Sequence, residues 1–369
     1  MKVLSIAWYK VLPPRYGGQK GIANFNKCLA RHFPLTFLCS KDNESSVEAG
    51  YRVLPLLPFN KFQFINPVVI KKIVSAAKKE KPTHIILEHP YHGIAAFKAA
   101  KRAGAKLIVH SHNIESERFR KMGKWWWLAL RMYEKRVHRK ADLNLFKTKE
   151  DMDYALKYFE LNQEKCIVIP YGIDPERKKA PENAKKIIRD RHDILPDEKI
   201  ILFSGTLDYL PNAKAVENIF QEIAPRLTDE KFLFKIIITG RINKSGFNYL
   251  NKLTNPDIIM AGEVSDIENY FAAADIFINP AIEGGGIQTK IIDALSYDLN
   301  VVCFADVLNG IEVNLSKEKI FIVTPGSWQE FIQQIKNAAD YTQKTPGSFL
   351  NYYNWENIIS RLIAKIEKP

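Results

Sequence analysis

Short apolar runs that do not alternate with polar residues recur along this chain, and helical stretches separate most of them. A strand that reads as a continuous apolar run is buried on both faces, the condition of a parallel sheet covered by helices. Lys2–Tyr9, Leu35–Cys39, Tyr51–Leu56, His84–Glu88, Lys106–Ser111, Asp142–Phe146 and Lys165–Ile169 form a first series. Ile200–Ser204, Phe234–Thr239, Ile258–Met260, Asp275–Asn279, Asn300–Phe304 and Ile320–Val323 form a second. Each series predicts a doubly wound α/β sheet. A chain of 369 residues is also long for one compact domain. Pro170 and Gly172 end the first series, and 177–191 is polar with few apolar residues, so the junction is expected near 172–180. The expected division is 1–175, then 176–345, with a last helical stretch, 346–369, packing back on the first domain.

Ligands of such sheets sit at the carboxyl ends of strands. There the stretch Asn279-Pro-Ala-Ile-Glu283-Gly284-Gly285-Gly286-Ile287-Gln-Thr-Lys290-Ile-Ile-Asp293-Ala-Leu295 joins a buried run, a glycine turn and helical spacing at Ile287, Ile291, Ile292 and Leu295. A helix opens with unpaired N–H groups and partial positive charge, and glycine lets a phosphate come close. Lys290, about one turn in, and Asp293, one turn further, share a face. Amides and a cation suit a diphosphate, and the carboxylate suits ribose hydroxyls. A plain turn beside a solvated lysine is the competing interpretation. Gly17 and Gly18 repeat the pattern between the first run and an amphipathic stretch from about Ile22 to His32, and an ordinary turn fits them equally. His112 and Arg241 also stand at strand ends, where a histidine more often serves structure than a sugar or phosphate.

An apolar share of 46% and a charged share of 26% are ordinary globular values and argue against disorder. No apolar segment approaches the ~18 residues of a membrane span. Lys2 precedes only a short apolar run without a cleavage pattern, and Cys28, Cys39, Cys166 and Cys303 are scattered. Together these predict a cytoplasmic protein with core thiols. Charge is asymmetric: residues 1–170 hold 31 Lys and Arg against 14 Asp and Glu, and the remainder holds 23 against 27. The first half is therefore expected to meet an anionic partner. Arg120, Lys121 and Lys124 precede Trp125, Trp126 and Trp127, a pairing of bases and indoles that suits an anionic membrane surface. On one helix, adjacent rings would span about 200°, so one or two would face inward.

Ile169-Pro-Tyr-Gly-Ile-Asp174, Gly205-Thr-Leu-Asp-Tyr-Leu-Pro-Asn-Ala-Lys-Ala-Val216, Gly262-Glu-Val-Ser-Asp266 and Asp275-Ile-Phe-Ile-Asn-Pro280, followed by Glu283–Leu295, resemble the motif series of family 4 glycosyltransferases. The resemblance covers nearly the whole chain and is most specific over 200–305. It implies a GT-B fold, two Rossmann-like domains facing a central cleft, and retaining transfer of a hexose-type sugar from a UDP- or GDP-linked donor. The expected acceptor is a glycan or lipid-linked molecule of cell-surface polysaccharide synthesis, with no cofactor and no metal. By the same resemblance Glu283 contacts donor-sugar hydroxyls and Asp293 holds the ribose. The amides of Gly284–Gly286 and the glycine loop at Gly17 and Gly18 serve the phosphates, and the backbone near Val264 the base. Gly205 and Ile287 fall within the donor motifs, and His112 resembles a histidine beside the transferred sugar. Glu283, Lys290 and His112 form the expected catalytic group.

Nine residues separate Glu283 from Asp293 where the family commonly has seven, and Asp stands for Glu; the Gly-Gly-Gly-Ile-x-x-Lys run resembles a subset with a longer turn. Thr206 occupies the place of the usual diphosphate-neutralising Arg, and Lys214 falls within a predicted helix. The leaving diphosphate gains negative charge, which makes Lys290 the first candidate cation and Arg241 the second. Neither G-x-G-x-x-G nor G-x-x-x-x-G-K-[ST] is present, against a dehydrogenase or P-loop ATPase. Asp151-Met-Asp153 sits at an expected helix start, where acids favour the dipole without any metal. A nucleic-acid module would leave a basic recognition helix or stacking motif; the tryptophans suggest the latter only faintly, and the glycine-turn site of the second half would have no purpose there. The remaining alternatives are an epimerase of the same fold and a non-catalytic anion- or lipid-binding protein.

Overall fold

The computed structural model describes residues 1–14, 17–44, 49–60, 63–173, 179–282 and 287–367. The chain divides into two units, Met1–Asp174 together with Tyr353–Pro369, and Pro175–Tyr352.

Unit 1 is built on a parallel sheet of β1 (Val3–Ile6), β2 (Leu35–Ser40), β3 (Arg52–Leu57), β4 (His84–Glu88), β5 (Lys106–Ser111), β6 (Leu143–Phe146) and β7 (Cys166–Val168). The strand order is β3-β2-β1-β4-β5-β6-β7. The unalternating apolar runs have the predicted cause. Val3, Ile86 and Ile108 enter one core, while Leu4, Ile85, Leu87, Leu107 and Val109 enter another. Successive side chains point to opposite faces, so covering both faces requires apolar residues throughout. The helices Pro67–Glu80 and Gly93–Ala103 supply Ile73, Ala77, Ala95 and Ala99 to the second core.

The first core is closed by the helix Gly17–Ala30 and, from the far end of the sequence, by Trp355–Glu367. The N–H of Ile173 donates to the carbonyl of Tyr353 at 2.6 Å, and Ile173 pairs with Asn354. Trp355 is fully buried, and a Cβ at Gly172 would lie 2.5 Å from its ring. That approach requires glycine. Ile358, Ile359 and Leu362 are also fully buried, each worth roughly 1.5–3 kcal/mol. The chain rejoins unit 1 at Tyr353, not at 346: the helix Gly347–Tyr353 falls almost wholly in unit 2. The first helix likewise starts at Gly17, ahead of the expected Ile22, with Gln19 Nε2 donating to the Lys10 carbonyl to anchor its opening turn.

Unit 2 repeats the design with β8 (Lys199–Ser204), β9 (Phe234–Thr239), β10 (Ile258–Gly262), β11 (Ile276–Asn279), β12 (Asn300–Phe304) and β13 (Ile320–Val323). Its order is β10-β9-β8-β11-β12-β13, again parallel throughout. Strand order reverses between β1 and β4 in one sheet and between β8 and β11 in the other. Chains leaving such a pair diverge to opposite faces, which opens a crevice at the carboxyl ends. Among the described residues no helix is long and apolar enough to cross a membrane. Cys28, Cys39, Cys166 and Cys303 are buried.

Candidate active site

At the crevice of unit 2, β8 runs into Gly205 and the helix Leu210–Asn218. Gly240, at the end of β9, holds φ at +149°, and a Cβ there would stand 1.8 Å from the Gly205 carbonyl oxygen. Only glycine permits backbones this close. Asn212 Nδ2 donates to the Thr206 carbonyl at 2.9 Å, which fixes the amide so that Oδ1 faces Lys290. Lys290, in the first turn of the helix Thr289–Ser296, donates to that Oδ1 at 2.9 Å. Its Nζ also lies 4.5 Å from the Phe203 ring centroid. The residue as a whole is half-buried, but crowding around the ammonium strips its hydration and pulls its pKa down to about 7. A cation so weakly compensated is disposed to accept an anion.

The other expected donor residues surround this pair in sequence and topology. Arg241 follows β9, and its carbonyl accepts from Leu207 N–H at 3.0 Å. Val264 follows β10 and is half-buried, as are Ile287 and Asp293. Asp293 shares the helix of Lys290. Lys214 is exposed in mid-helix. Glu283 and Gly284–Gly286 lie outside the described residues. In unit 1, Gly17 and Gly18 form the start of the first helix, with Gly18 exposed.

His112, one residue past β5, belongs to a denser network than its sequence suggests. Its Nε2 lies 2.7 Å from Glu88 Oε2, and His110 Nδ1 approaches the same oxygen to 3.0 Å without hydrogen-bond alignment. Burial, then the neighbouring His89 and His110, holds His112 well below the usual histidine range. The ring is therefore neutral near pH 7. With its proton on Nε2, shared with Glu88, Nδ1 keeps a lone pair. Stacked on His112 at 4.4 Å is His89, whose Nδ1 lies 3.2 Å from Glu115 Oε1. Glu115 is buried, which works to raise its pKa, yet His89, Arg118 and Tyr91 draw it down to about 2. Glu134 accepts from the N–H groups of Glu115 and Ser116 at 2.9 and 3.0 Å and fixes the loop. Lys147, 5% exposed at the end of β6, has no hydrogen-bond partner among the described residues. Burial lowers its pKa to about 8, opposed by Glu88. Sequence reasoning singled out His112 alone. Glu88 and His89 end a recognised strand, so applying the strand-end rule evenly would have found them.

Among the described residues, Glu88, His110 and His112 are the group of histidine and carboxylate donors close enough to hold an ion. Their 2.7 and 3.0 Å separations are hydrogen-bond distances, shorter than the ~3.3 Å that ligands about 2.0 Å from a tetrahedral zinc keep from each other. The arrangement fits a carboxylate hydrogen-bonded to His112, with the His110 ring packed beside it. Asp151 and Asp153 open the helix Lys149–Tyr158, where Thr148 Oγ1 caps Asp151 N–H at 3.0 Å and Lys149 pairs with Asp153.

The tryptophans differ from expectation. Gly123, at φ +67°, ends the turn after the helix Glu115–Lys121, and the next helix, Trp127–Arg139, begins only at the third tryptophan, so the three rings do not share a helix. Trp126 packs on Phe119 at 4.6 Å, the Arg120 guanidinium lies over Trp127 at 5.8 Å, and Trp125 is 88% exposed. Met122, Leu128 and Met132 are exposed nearby, together with Lys121 and Lys124.

Comparison with known proteins matches residues 16–177 to the Glycosyltransferase Family 4 model and residues 198–340 to the Glycosyl transferases group 1 model. A protein of Bacillus subtilis (strain 168), named as the teichuronic acid biosynthesis glycosyltransferase TuaC, is 26% identical over 170 residues. That match covers 46% of this chain and 40% of that protein, so the chain spans under half the length of this curated relative. The crystal structure of a glycosyltransferase from Rickettsia africae ESF-5 superposes with a TM-score of 0.76 at 16% identity, covering 100% of this chain and 99% of the other. Anabaena Alr3699/HepE, solved in complex with UDP and glucose, gives 0.75 at 15% identity with 100% of both chains covered. These structures share the GT-B fold with this chain.

Proposed function

Because both halves of the chain belong to glycosyltransferase families, we propose that it transfers a hexose from a nucleoside-diphosphate sugar to a glycan or lipid-linked acceptor. The observation that carries this reading is the dehydrated Lys290 ammonium at the crevice of unit 2, steadied by Asn212. A departing diphosphate needs positive charge placed before the bond breaks. Lys290 supplies it, Arg241 assists, and the amides of Gly284–Gly286 complete the cradle. Glu283 takes the sugar hydroxyls, Asp293 the ribose, and Val264 the base edge. The fold match to a HepE structure holding UDP favours a uridine donor.

In unit 1, the lone pair on His112 Nδ1 suits a sugar hydroxyl beside the transferred carbon. Transfer with retention and without a resident metal follows the family resemblance, and a cytoplasmic site of action follows the four scattered, buried cysteines. The name of the TuaC relative points to cell-surface polysaccharide synthesis. The exposed Trp125, Leu128 and Met132, ringed by Lys121 and Lys124, suit an anionic membrane face on which a lipid-linked acceptor is presented.

A thermal-shift screen of UDP-, GDP- and ADP-sugars tests the donor, followed by NMR of the product with the stabilising donor. A transferred sugar with its anomeric configuration kept is expected. A free epimer would instead establish the epimerase, and no stabilisation by any nucleotide would leave the binding protein.

A further inference from the structure

The crevice of unit 1 carries an aromatic shelf that the donor chemistry does not use. Trp8 and Tyr9 leave the end of β1, Phe59 and Phe64 follow β3, and His89 and Tyr91 follow β4. Trp8 stacks on Phe59 with rings 8° from parallel and 6.2 Å apart, and meets Phe64 and Tyr91 edge-on at 5.5 and 5.4 Å. Phe59 is 63% exposed. A ring this open, on a shelf this ordered, presents a flat apolar face to solvent at the point where ligands of such sheets bind.

His89 borders the shelf in a backbone conformation, φ 65° and ψ 155°, that residues other than glycine almost never adopt. Such strain persists only where the surroundings impose it, and it concentrates at working sites. The His89 Nδ1 lies 3.2 Å from Glu115 Oε1, and Tyr91 Oη at 2.8 Å and Arg118 at 2.6 Å hold that carboxylate as an ionised acceptor. In the neutral ring with its proton on Nδ1, toward Glu115, Nε2 carries a lone pair. That nitrogen lies a long 3.5 Å from Tyr9 Oη. A hydroxyl arriving over the shelf can take up the lone pair.

We propose that Trp8, Phe59 and His89 form the acceptor subsite, for a neutral pyranoside. The C–H face of the sugar ring lies on Trp8 and Phe59, and the hydroxyl awaiting glycosylation donates to His89 Nε2. The inference rests on the transferase reading and adds which residues hold the acceptor and what ring they accept. The part asked of His89 is a hydrogen bond; no proton transfer is assigned to it.

The test uses the full chain with octyl β-D-glucoside and octyl β-D-galactoside as probes, read by saturation-transfer NMR, with UDP affinity measured separately by calorimetry. Saturation is expected on the C–H protons of one ring face in the wild type. Phe59→Ala and Trp8→Ala should weaken probe binding tenfold or more. His89→Ala should do likewise, and His89→Gln, which keeps a hydrogen-bond acceptor, should recover part of the loss. UDP affinity should be unchanged throughout. If His89→Ala fails to fold, Phe59→Ala still decides, since its side chain is largely solvent-facing. Absence of saturation in the wild type, or equal saturation in Phe59→Ala and Trp8→Ala, overturns the subsite while UDP binding stands. Failure of the wild type to bind any nucleotide sinks the transferase reading instead.

Discussion

The ammonium of Lys290 is held 2.9 Å from Oδ1 of Asn212, which ties the helix after β11 to the helix after β8 across the crevice of the second sheet. Asn212 orients the cation without neutralising it. Lys290→Ala is expected to lower turnover by on the order of 100-fold, because it removes charge aimed at the departing phosphate. Asn212→Ala, which frees the ammonium but keeps it, should cost roughly tenfold. Initial rates of nucleoside-diphosphate release measure both. Equal losses in the two variants would show that Asn212 does more than orient.

The same lysine sets a pH dependence. Burial lowers its pKa to about 7, so the free enzyme carries the charged form below that pH and loses it above. Donor kcat/KM should therefore fall toward alkaline pH, about tenfold per unit beyond the midpoint. In Lys290→Arg the alkaline fall should vanish, since guanidinium does not titrate there.

Asp293 shares the helix of Lys290 and is half-buried. Asp293→Ala is expected to raise the donor KM roughly tenfold or more, with a smaller change in kcat, because ribose contacts are made equally in ground and transition states. A 2′-deoxyribose donor should show the same penalty with the native enzyme and little further loss with the variant.

At Lys147 the effect falls on stability. Its folded pKa is about 8 against an ordinary 10.5, so the folded state disfavours the charged lysine by about 3 kcal/mol below pH 8. Unfolding releases that constraint, and the penalty fades as pH rises from 8 to 10.5. The melting temperature of Lys147→Met relative to wild type should accordingly be highest near pH 6 and decline toward pH 10. A difference independent of pH would mean that folding leaves the pKa of the lysine unshifted.

For the membrane face, Trp125→Ser with Met132→Ser should reduce co-sedimentation with phosphatidylglycerol vesicles at least tenfold. Binding by the native chain should weaken as salt rises and the Debye length shrinks. The double variant should keep its melting temperature, since Trp125 is 88% and Met132 76% exposed.

Much of this protein is decided by the sequence itself. Unalternating apolar runs such as Ile200–Ser204, too short for helices and separated by helical spacing, read as parallel strands covered on both faces. Strand-end positions then follow from connectivity, which is why His112 is identifiable from order and Lys290 from its spacing after a glycine turn, while Gly205 rests on the family motif. What spacing does not encode is which distant side chains share a volume. Lys290 and Asn212 are 78 positions apart, and nothing local to either predicts their hydrogen bond. His112 read alone is an ordinary polar residue; Glu88 and His89 make it one of two carboxylate-fixed rings. The tryptophans read as one helical stretch, but in the fold Trp125 and Trp126 lie in a turn and the helix begins only at Trp127. Local propensity sets each element. Charge, tautomer and pKa come from long-range neighbours and from the water that packing removes, and these exist only once the sheet has brought its strand ends together.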